Sequence, residues 1–224
     1  MRISVAIDGP AGAGKSTIAK KLAKELDYIY VDTGAMYRAM ALYMIEQKTD
    51  IQHMDAVRSA CDAITIDIRY SDGEQQVILN GRNVNDFIRT EAVSEMSSKI
   101  SAIPEVRAKL LSLQRSLAAA SNVIMDGRDI GTVVLPDAEV KIYLDAGVEE
   151  RARRRVGELQ EKGETADFEE IKKMILERDY NDMHRAHSPL KRAADAVSLD
   201  STGMGIDAVL QAILDIVAER VKEK

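Results

Sequence analysis

The sequence has little of what secreted, membrane-spanning or disulfide-stabilised proteins need. Cys61 is the single cysteine among 224 residues, so neither an intramolecular disulfide nor a cysteine-based zinc site can form, as is typical of a reducing compartment. No apolar run approaches the roughly 18 residues that cross a bilayer, and the N-terminus lacks the basic and apolar regions of a signal peptide. These absences predict a cytoplasmic protein with no membrane partner.

Positive charge is also in short supply. The 31 Lys and Arg residues are outnumbered by 37 Asp and Glu residues, which gives a net charge of −6, so we expect no nucleic-acid partner. The chain contains no internal repeat, low-complexity tract or proline-rich linker. Its length and its hydrophobic content of 46% fit one α/β domain with insertions or two small domains. We expect a monomer.

The most informative segment is Gly9-Pro10-Ala11-Gly12-Ala13-Gly14-Lys15-Ser16, which fills every fixed position of the pattern Gly-x-x-x-x-Gly-Lys-Ser/Thr. An apolar run typical of a buried strand precedes it, and apolar residues at helical spacing follow it. Glycines let backbone N–H groups approach an anion, Lys15 can reach the outer phosphates, and the Ser16 hydroxyl can bind Mg²⁺. The segment therefore predicts a site for a nucleoside triphosphate with magnesium.

Further strands and helices alternate along the chain. Four more strands are predicted at Tyr28 to Val31, Asn122 to Met125, Val140 to Asp145 and Ala196 to Asp200. Ligands of open parallel sheets collect at the carboxyl ends of the strands, where Thr33 and the charged run Asp126 to Asp129 stand. Thr33 is either a helix N-cap or a ligand contact, and the two roles are compatible.

The alternating pattern is interrupted by a small antiparallel insertion. Ile64 to Ile68 alternates with period two, Ser71-Asp72-Gly73 predicts a turn, and Asn80-Gly81 predicts a hairpin. We therefore expect residues 35–100 to form a subdomain attached to the main sheet.

Arginines follow several of the predicted elements. Arg151, Arg154 and Arg155 share one face of a charged helix, and the residues alone favour a solvated face balanced by glutamates. Other arginines stand just past the second and third strands and along a late helix. A site for two phosphorylated ligands needs such an excess of cations, and an attacking phosphate oxygen needs no strong base because it is already largely ionised.

Four motifs together resemble the bacterial cytidylate kinase family. They are Gly9-Pro10-Ala11-Gly12-Ala13-Gly14-Lys15-Ser16-Thr17, Asp32-Thr33-Gly34-Ala35-Met36-Tyr37-Arg38, Asp126-Gly127-Arg128-Asp129-Ile130-Gly131-Thr132-Val133-Val134 and Arg178-Asp179-x-x-Asp182-x-x-Arg185. Many nucleotide-binding families share the first motif, whereas the second and third are close to diagnostic. The similarity runs the length of the chain. It implies a P-loop nucleoside monophosphate kinase fold, with a five-stranded parallel sheet flanked by helices, a small antiparallel β insertion and a helical lid.

The resemblance also implies a division of the chain into three parts. A core with the phosphate-binding loop would comprise residues 1–34, 101–149 and 167–224. Residues 35–100 would bind the nucleoside monophosphate, and residues 150–166 would form a mobile lid over ATP.

The same resemblance implies which residues bind each ligand. ATP would be bound by Gly9, Pro10, Ala11, Gly12, Ala13, Gly14, Lys15, Ser16 and Thr17. The cytosine of CMP would be surrounded by Thr33, Arg107, Asp129 and Arg185. The ribose would be met by Ser98, Arg178 and Asp182, and the phosphate by Arg38 and Arg128.

The implied activity is transfer of the γ-phosphoryl group of ATP to CMP or dCMP, with Mg²⁺ as cofactor. The catalytic cations would be Lys15, Arg128, Arg151 and Arg154, which reverses the solvated-face interpretation for the last two. Asp126 either helps to hold hydrated magnesium or anchors its loop. A carboxylate at Asp129 suits cytosine, because it can accept from the exocyclic amino group that uracil lacks.

Two other functions were weighed against this one. A related kinase could act on another phosphorylated or hydroxyl-bearing metabolite, and a nucleotide switch of the GTPase kind would share the glycine-rich loop. The sequence lacks the Asn-Lys-x-Asp element that reads guanine, which argues against the switch. Two histidines at the spacing of His184 and His187 belong to a surface helix more often than to a metal site.

Overall fold

The computed structural model describes residues 2–71, 74–161 and 163–222. In chain order the elements are β1 (Ser4–Asp8), α1 (Lys15–Leu26), β2 (Ile29–Asp32), α2 (Thr33–Glu46), α3 (Met54–Ala63), β3 (Ile66–Ser71), β4 (Glu74–Leu79), β5 (Arg82–Asn83), α4 (Glu91–Ile100), α5 (Pro104–Ala120), β6 (Val123–Gly127), a π-helical turn (Ile130–Val134), β7 (Val140–Asp145), α6 (Val148–Glu161), α7 (Phe168–His184), β8 (Val197–Asp200) and α8 (Ile206–Lys222). Asp72 and Gly73 of the predicted turn lie outside the described residues.

A five-stranded parallel sheet in the order β2-β6-β1-β7-β8 carries the glycine-rich segment. The central strand is β1, whose last residue, Asp8, lies beside Gly127 of β6 and Tyr143 of β7. Because the parallel strands end at the same edge, the loops that follow β1 and β6 leave the sheet side by side. The predicted five-stranded parallel sheet is confirmed.

Helices α1 and α8 bury their apolar faces against the strands. Ile18 and Leu22 of α1 and Val209 and Ile213 of α8 belong to one buried cluster with Ile7 of β1. Burial of side chains of this size contributes about 1.5–3 kcal/mol each. Within the described part of the chain, no helix combines the length and apolar character needed to span a bilayer.

The structure divides into two compact units. The core unit comprises Met1–Tyr30 and Ser121–Lys224, and the insertion unit comprises Val31–Ala120. The insertion unit is wider than the predicted subdomain of residues 35–100 because α5 packs against α2 and α3. Residues 150–161 of the predicted lid belong to α6, which packs against α7, and Lys162 of that segment lies outside the described residues. A lid role for residues 150–166 stays a prediction.

The insertion unit contains the predicted antiparallel sheet, in the order β3-β4-β5. Its first two strands pair from Ile66 opposite Leu79 to Ser71 opposite Glu74. Asn80 and Gly81 join β4 to β5 with φ angles of 46° and 85°, which both lie in the left-handed region that a type I′ turn requires. The hairpin predicted from Asn80-Gly81 is confirmed.

Two elements were not predicted from the sequence. Helix α3 buries Val57, Ala60 and Cys61, and these residues followed by Ile64 have the helical spacing i, i+3, i+4, i+7. The sequence therefore contained a usable signal for this helix. The π-helical turn Ile130–Val134 has no comparable periodicity. Its conformation depends on contacts distant in sequence, which a local pattern does not indicate.

Replacing Gly81 with alanine should destabilise the protein by about 1 kcal/mol, because an alanine resists the left-handed conformation. Apart from the two neighbouring residues, no described atom lies within 4 Å of the new Cβ, so the measurement reports conformational strain. The control is Gly157→Ala in the middle of α6, where the space is equally open and alanine should stabilise by about 0.5–1 kcal/mol. Urea unfolding measures both changes, and effects of the same sign would contradict the turn geometry.

Candidate active site

The glycine-rich loop is shaped by close packing against β7. Gly9, Gly12 and Gly14 have φ angles of 152°, 75° and 87°, and a Cβ placed on Gly9 would lie 1.9 Å from the carbonyl oxygen of Leu144. Side chains are thus excluded at Gly9 by both space and conformation. Gly14 is the N-cap of α1 and supplies no side-chain hydrogen bond, so the first turn of α1 presents its N–H groups and positive dipole end to an anion.

Lys15 is the first residue of α1. Its Nζ donates to the carbonyl of Pro10 at 2.6 Å, and the side chain is buried. Burial, followed by the positive charge of Arg128, lowers the pKa of Lys15 well below its usual value, although Asp126 acts in the opposite direction. Phosphate groups would favour the charged form of Lys15, since they bring opposite charge. The loop therefore suits a polyanionic ligand.

Ser16, Tyr30 and Asp126 form a hydrogen-bonded cluster beneath the loop. The Ser16 Oγ donates to Asp126 Oδ2 at 2.7 Å, and the Tyr30 hydroxyl donates to Asp126 Oδ1 at 2.9 Å. Asp126 therefore anchors the serine that the sequence predicts as a magnesium ligand. Hydroxyl and carboxylate oxygens are the hard donors that Mg²⁺ prefers, and Mg²⁺ usually takes its other ligands from substrate phosphates and water. Tyr30 was not predicted to belong to the site.

Asp8 fixes the loop that follows β6. Its two carboxylate oxygens accept from the backbone N–H groups of Ile130 and Gly131, both at 2.7 Å. These amides open the π-helical turn, immediately after Arg128 and Asp129. Asp8 was missed by the sequence analysis, although it follows an apolar strand just as Asp126 does.

Aspartates hold the arginines of the core unit. The Arg128 Nε donates to Asp182 Oδ2 at 2.8 Å, and the Arg185 Nη2 donates to Asp129 Oδ1 at 3.4 Å. Burial alone would raise the pKa of Asp182, but Arg128, Arg178 and Arg185 together lower it below its usual value. The structure thus brings together the five residues that the resemblance assigns to CMP in this unit.

The arginines of α6 fall into two groups. Arg151 is buried, and its Nη1 donates to the Ala11 carbonyl at 2.8 Å and to Asp179 Oδ2 at 2.6 Å. Arg154 donates through Nη2 to the Ser201 carbonyl at 2.8 Å, and its Nη1 would lie 3.7 Å from a Cβ on Gly14. Both guanidinium groups therefore lie against the glycine-rich loop.

Arg153 and Arg155 have a different environment. They are exposed and pair with Glu150 and Glu158 of their own helix. The solvated-face interpretation of α6 therefore describes Arg155 and its neighbour Arg153, and it does not describe Arg151 or Arg154. Asp179, which holds Arg151 and accepts from the Ala11 N–H at 3.2 Å, was given no role from the sequence.

In the insertion unit, the start of α2 differs from one expectation. The N-cap is Asp32, whose Oδ1 accepts from the Ala35 N–H at 2.8 Å, whereas Thr33 is the first helical residue. The prediction that Thr33 caps this helix was therefore wrong, because Asp32 is the residue with non-helical backbone angles. Thr33 is buried, and its role as a ligand stays a prediction. Arg38, one turn later, donates to Asp32 Oδ2 at 3.1 Å.

Ser98 and Arg107 lie near each other in the insertion unit. Ser98 is on α4, and its carbonyl accepts from the Ser101 hydroxyl at 2.8 Å. The Arg107 Nη1 donates to the Ser101 carbonyl at 3.1 Å, and its guanidinium lies 5.7 Å from the ring centre of Tyr37. The turn between α4 and α5 thus joins two of the predicted CMP ligands.

The central strand, the glycine-rich loop and the helix that follows it define a P-loop nucleotide-binding protein. The sequence profile of the family described as Cytidylate kinase matches residues 5–219. The chain belongs to the cytidylate kinase family.

Relatives with this name match along the whole chain. The cytidylate kinase of Lactobacillus gasseri is 50% identical over 220 residues, covering 98% of this chain and 96% of the relative. The cytidylate kinase of Carboxydothermus hydrogenoformans is 48% identical over 216 residues, covering 96% and 97%. Among solved structures, an uncharacterised protein from Eubacterium ventriosum aligns with a TM-score of 0.55 at 12% identity, covering 98% of this chain and 99% of that one. That structure supports the fold alone.

The buried carboxyl group of Asp8 predicts a pH-dependent stability. Burial raises the pKa of Asp8 from 3.8 to about 6, although the amides of Gly131 and Ile130 lower it. The folded state therefore binds this proton more tightly than the unfolded state. The stability contributed by protonated Asp8 is complete below its unfolded pKa and is lost as the pH rises through 6. A pKa rise of this size corresponds to about 3 kcal/mol.

The Asp8→Asn variant cannot titrate, so its free energy of unfolding should shift relative to wild type as the pH rises. Urea unfolding between about pH 4 and pH 7 should show that difference moving in favour of the variant by up to about 3 kcal/mol. The control, Asp137→Asn, makes the same change at an exposed site. A constant difference for Asp8→Asn would contradict the raised pKa.

Proposed function

We infer that this protein is an ATP-dependent nucleoside monophosphate kinase that transfers the γ-phosphoryl group of ATP to CMP or dCMP. A phosphate oxygen of the acceptor attacks the γ-phosphorus, the bond from that phosphorus to the β,γ-bridging oxygen breaks, and ADP leaves with CDP or dCDP. Membership of the cytidylate kinase family over residues 5–219 carries this inference. The glycine-rich loop supplies the physical basis for the ATP site.

The donor side of the reaction rests on the loop and its cations. The N–H groups of residues 9–17 would surround the β- and γ-phosphates, and Lys15 would neutralise charge as it develops. Ser16, with Asp126 behind it, would hold Mg²⁺, which supplies further charge neutralisation for the phosphates when it is bound. The Ser16–Asp126 hydrogen bond fits this role, because it fixes the serine oxygen.

The acceptor side of the reaction rests on arginines together with a serine and an aspartate. Arg38 and Arg128 would bind the CMP phosphate, while Ser98, Arg178 and Asp182 would bind the ribose. No general base is required, because a phosphate with a second pKa near 6 is largely ionised at neutral pH. Catalysis then depends on orientation and charge stabilisation, for which paired and prepositioned arginines are suited.

Base selection would fall to Thr33, Arg107, Asp129 and Arg185. The Asp129 carboxylate can accept from the exocyclic amino group of cytosine, and an arginine can donate to the ring carbonyl. Asp129 is buried and accepts from Arg185, so its carboxyl group is held in place beside a donor. Uracil presents a carbonyl where cytosine has its amino group. That carbonyl would face the Asp129 carboxylate, and neither group has a proton to donate.

Arg151 and Arg154 would stabilise the transferred phosphoryl group. Their contacts with the loop residue Ala11 and their approach to Gly14 support this assignment. Asp179 would set the position of Arg151, because its Oδ2 accepts from the same Nη1 that donates to the Ala11 carbonyl. Location in the cytoplasm and a monomeric state stay predictions from the sequence.

The proposed reaction is tested by measuring ADP release from Mg-ATP with CMP, dCMP, UMP, AMP, GMP or no acceptor. We expect rapid turnover with CMP and dCMP and slow turnover with the other nucleotides. Equal turnover with UMP would leave a kinase but remove the proposed base selection. Turnover that needs no acceptor would indicate an ATPase or a nucleotide switch.

Lys15→Met should abolish phosphoryl transfer without unfolding the protein, because the charge that contacts the outer phosphates is lost while the apolar stem is kept. The control is Lys24→Met, which removes an exposed lysine from the same helix. Steady-state rates and circular dichroism spectra of both variants would be compared with wild type. Undiminished turnover of Lys15→Met would exclude the glycine-rich loop from the mechanism.

Asp129→Ala should lower kcat/KM for CMP by about 10- to 100-fold, the usual range for a hydrogen bond to a charged group. The loss with UMP should be much smaller, because UMP has no amino group to donate. Asp137→Ala, an exposed change nearby in sequence, should alter neither value. Equal losses on CMP and UMP would contradict the role of Asp129 in base selection.

A further inference from the structure

Gln75 of β4 connects the antiparallel sheet to the residue that precedes α2. Its Oε1 accepts from the backbone N–H of Asp32 at 2.8 Å, and its Nε2 donates to the Asp32 carbonyl at 3.4 Å. One side-chain amide thus pairs with both backbone groups of Asp32, as a neighbouring strand would. Gln75 is 8% exposed, and buried amides are rarely left without partners. This contact fixes the backbone at the start of α2.

The backbone of Gln75 is itself held on both sides. Tyr70 of β3 lies opposite Gln75 in the antiparallel register. The Asn85 Nδ2 donates to the Gln75 carbonyl at 2.8 Å, and the Asn85 Oδ1 accepts from the Val77 N–H at 2.9 Å. Strand pairing and the Asn85 hydrogen bonds therefore fix the backbone that carries the Gln75 side chain.

Asp32 links this support to Arg38. The Asp32 Oδ2 accepts from Arg38 Nη2 at 3.1 Å and from Arg89 Nη2 at 2.8 Å. Burial alone would raise the pKa of Asp32, but the two arginines and the Ala35 N–H outweigh it, and the pKa lies below its usual value. An ionised, immobile carboxylate therefore orients the Arg38 guanidinium.

Gly34 shows how closely Arg38 lies against the first turn of α2. A Cβ added to Gly34 would lie 3.2 Å from Asp32 Oδ1 and 3.2 Å from Arg38 Nη1. A side chain there would press on both members of the ion pair. The arginine is thus confined by its surroundings as well as attracted by the carboxylate.

We propose that Gln75 is a positioning residue and that the antiparallel sheet, acting through Gln75 and Asp32, holds Arg38 in place for the phosphate of the acceptor. This inference rests on the proposed function, in which Arg38 contacts the CMP phosphate. It gives the β insertion a part in substrate binding that acts through Asp32 and Arg38.

Gln75→Leu removes both hydrogen bonds to Asp32 and keeps a side chain of similar size. Its KM for CMP should rise about tenfold, the usual effect of losing one well-formed hydrogen bond. The KM for ATP and the inhibition constant of cytidine should not change, because cytidine has no phosphate for Arg38 to contact. The control is Gln76→Leu, at the next position of β4, where the side chain points to the other face of the sheet.

A double-mutant cycle separates positioning from general loosening of the structure. In an Arg38→Ala background, Gln75→Leu should add nothing to the KM for CMP, whereas independent effects would add. If Arg38→Ala raises the KM for CMP and Gln75→Leu does not, the positioning role is overturned while the proposed function stands. If Arg38→Ala leaves that KM unchanged, the phosphate contact is wrong and the positioning role falls with it.

Thermal unfolding of each variant accompanies the kinetics. Gln75→Met, with an unbranched side chain of the same length, is measured beside Gln75→Leu in case the branched side chain does not fit. A raised KM for CMP in a folded variant supports the proposal. Loss of the fold in both variants would overturn it, since Gln75 would then be needed for folding and not for placing Arg38.

Discussion

The arrangement of this protein depends on buried aspartates that hold arginines in place. The pairs are Asp32 with Arg38 at 3.1 Å, Asp182 with Arg128 at 2.8 Å, Asp179 with Arg151 at 2.6 Å and Asp129 with Arg185 at 3.4 Å. A buried guanidinium without a partner would cost several kcal/mol. Each carboxylate therefore lets a folded chain retain a cation that the proposed function assigns to a substrate.

Although the arginines are paired with aspartates, the surroundings of Lys15 still disfavour its positive charge. Its lowered pKa reflects burial and the nearby charges of Arg128 and Arg178, so the surrounding protein disfavours the positive charge that the proposed mechanism needs at Lys15. A bound triphosphate would supply the missing negative charge. The same logic applies to the transition state, where charge spreads over the transferred group and prepositioned donors need little reorganisation. In the proposed mechanism, substrate phosphates therefore supply the negative charge that favours the charged form of Lys15.

The sequence predicted those features that are encoded locally. The glycine-rich loop, the Asn80-Gly81 hairpin and the five parallel strands follow from residue types at short spacing, and the structure confirms them. Asp8 and Gln75 were missed because their partners are distant in sequence: Asp8 meets Gly131 across 123 positions, and Gln75 meets Asp32 across 43. The observed N-cap of α2, Asp32, is one residue away from the predicted one, Thr33. Both are good capping residues, and only the backbone angles decide between them.

The claim that Arg38 and Arg128 are ligands of the substrate phosphate can be tested by NMR. Proton–nitrogen correlation spectra of the arginine Nε–H groups would be recorded as CMP is added, and separately as cytidine is added. Arg38→Lys and Arg128→Lys identify the two signals of interest. The account predicts that CMP shifts both signals and that cytidine leaves them in place. Unchanged signals with CMP, or equal shifts with cytidine, would contradict it.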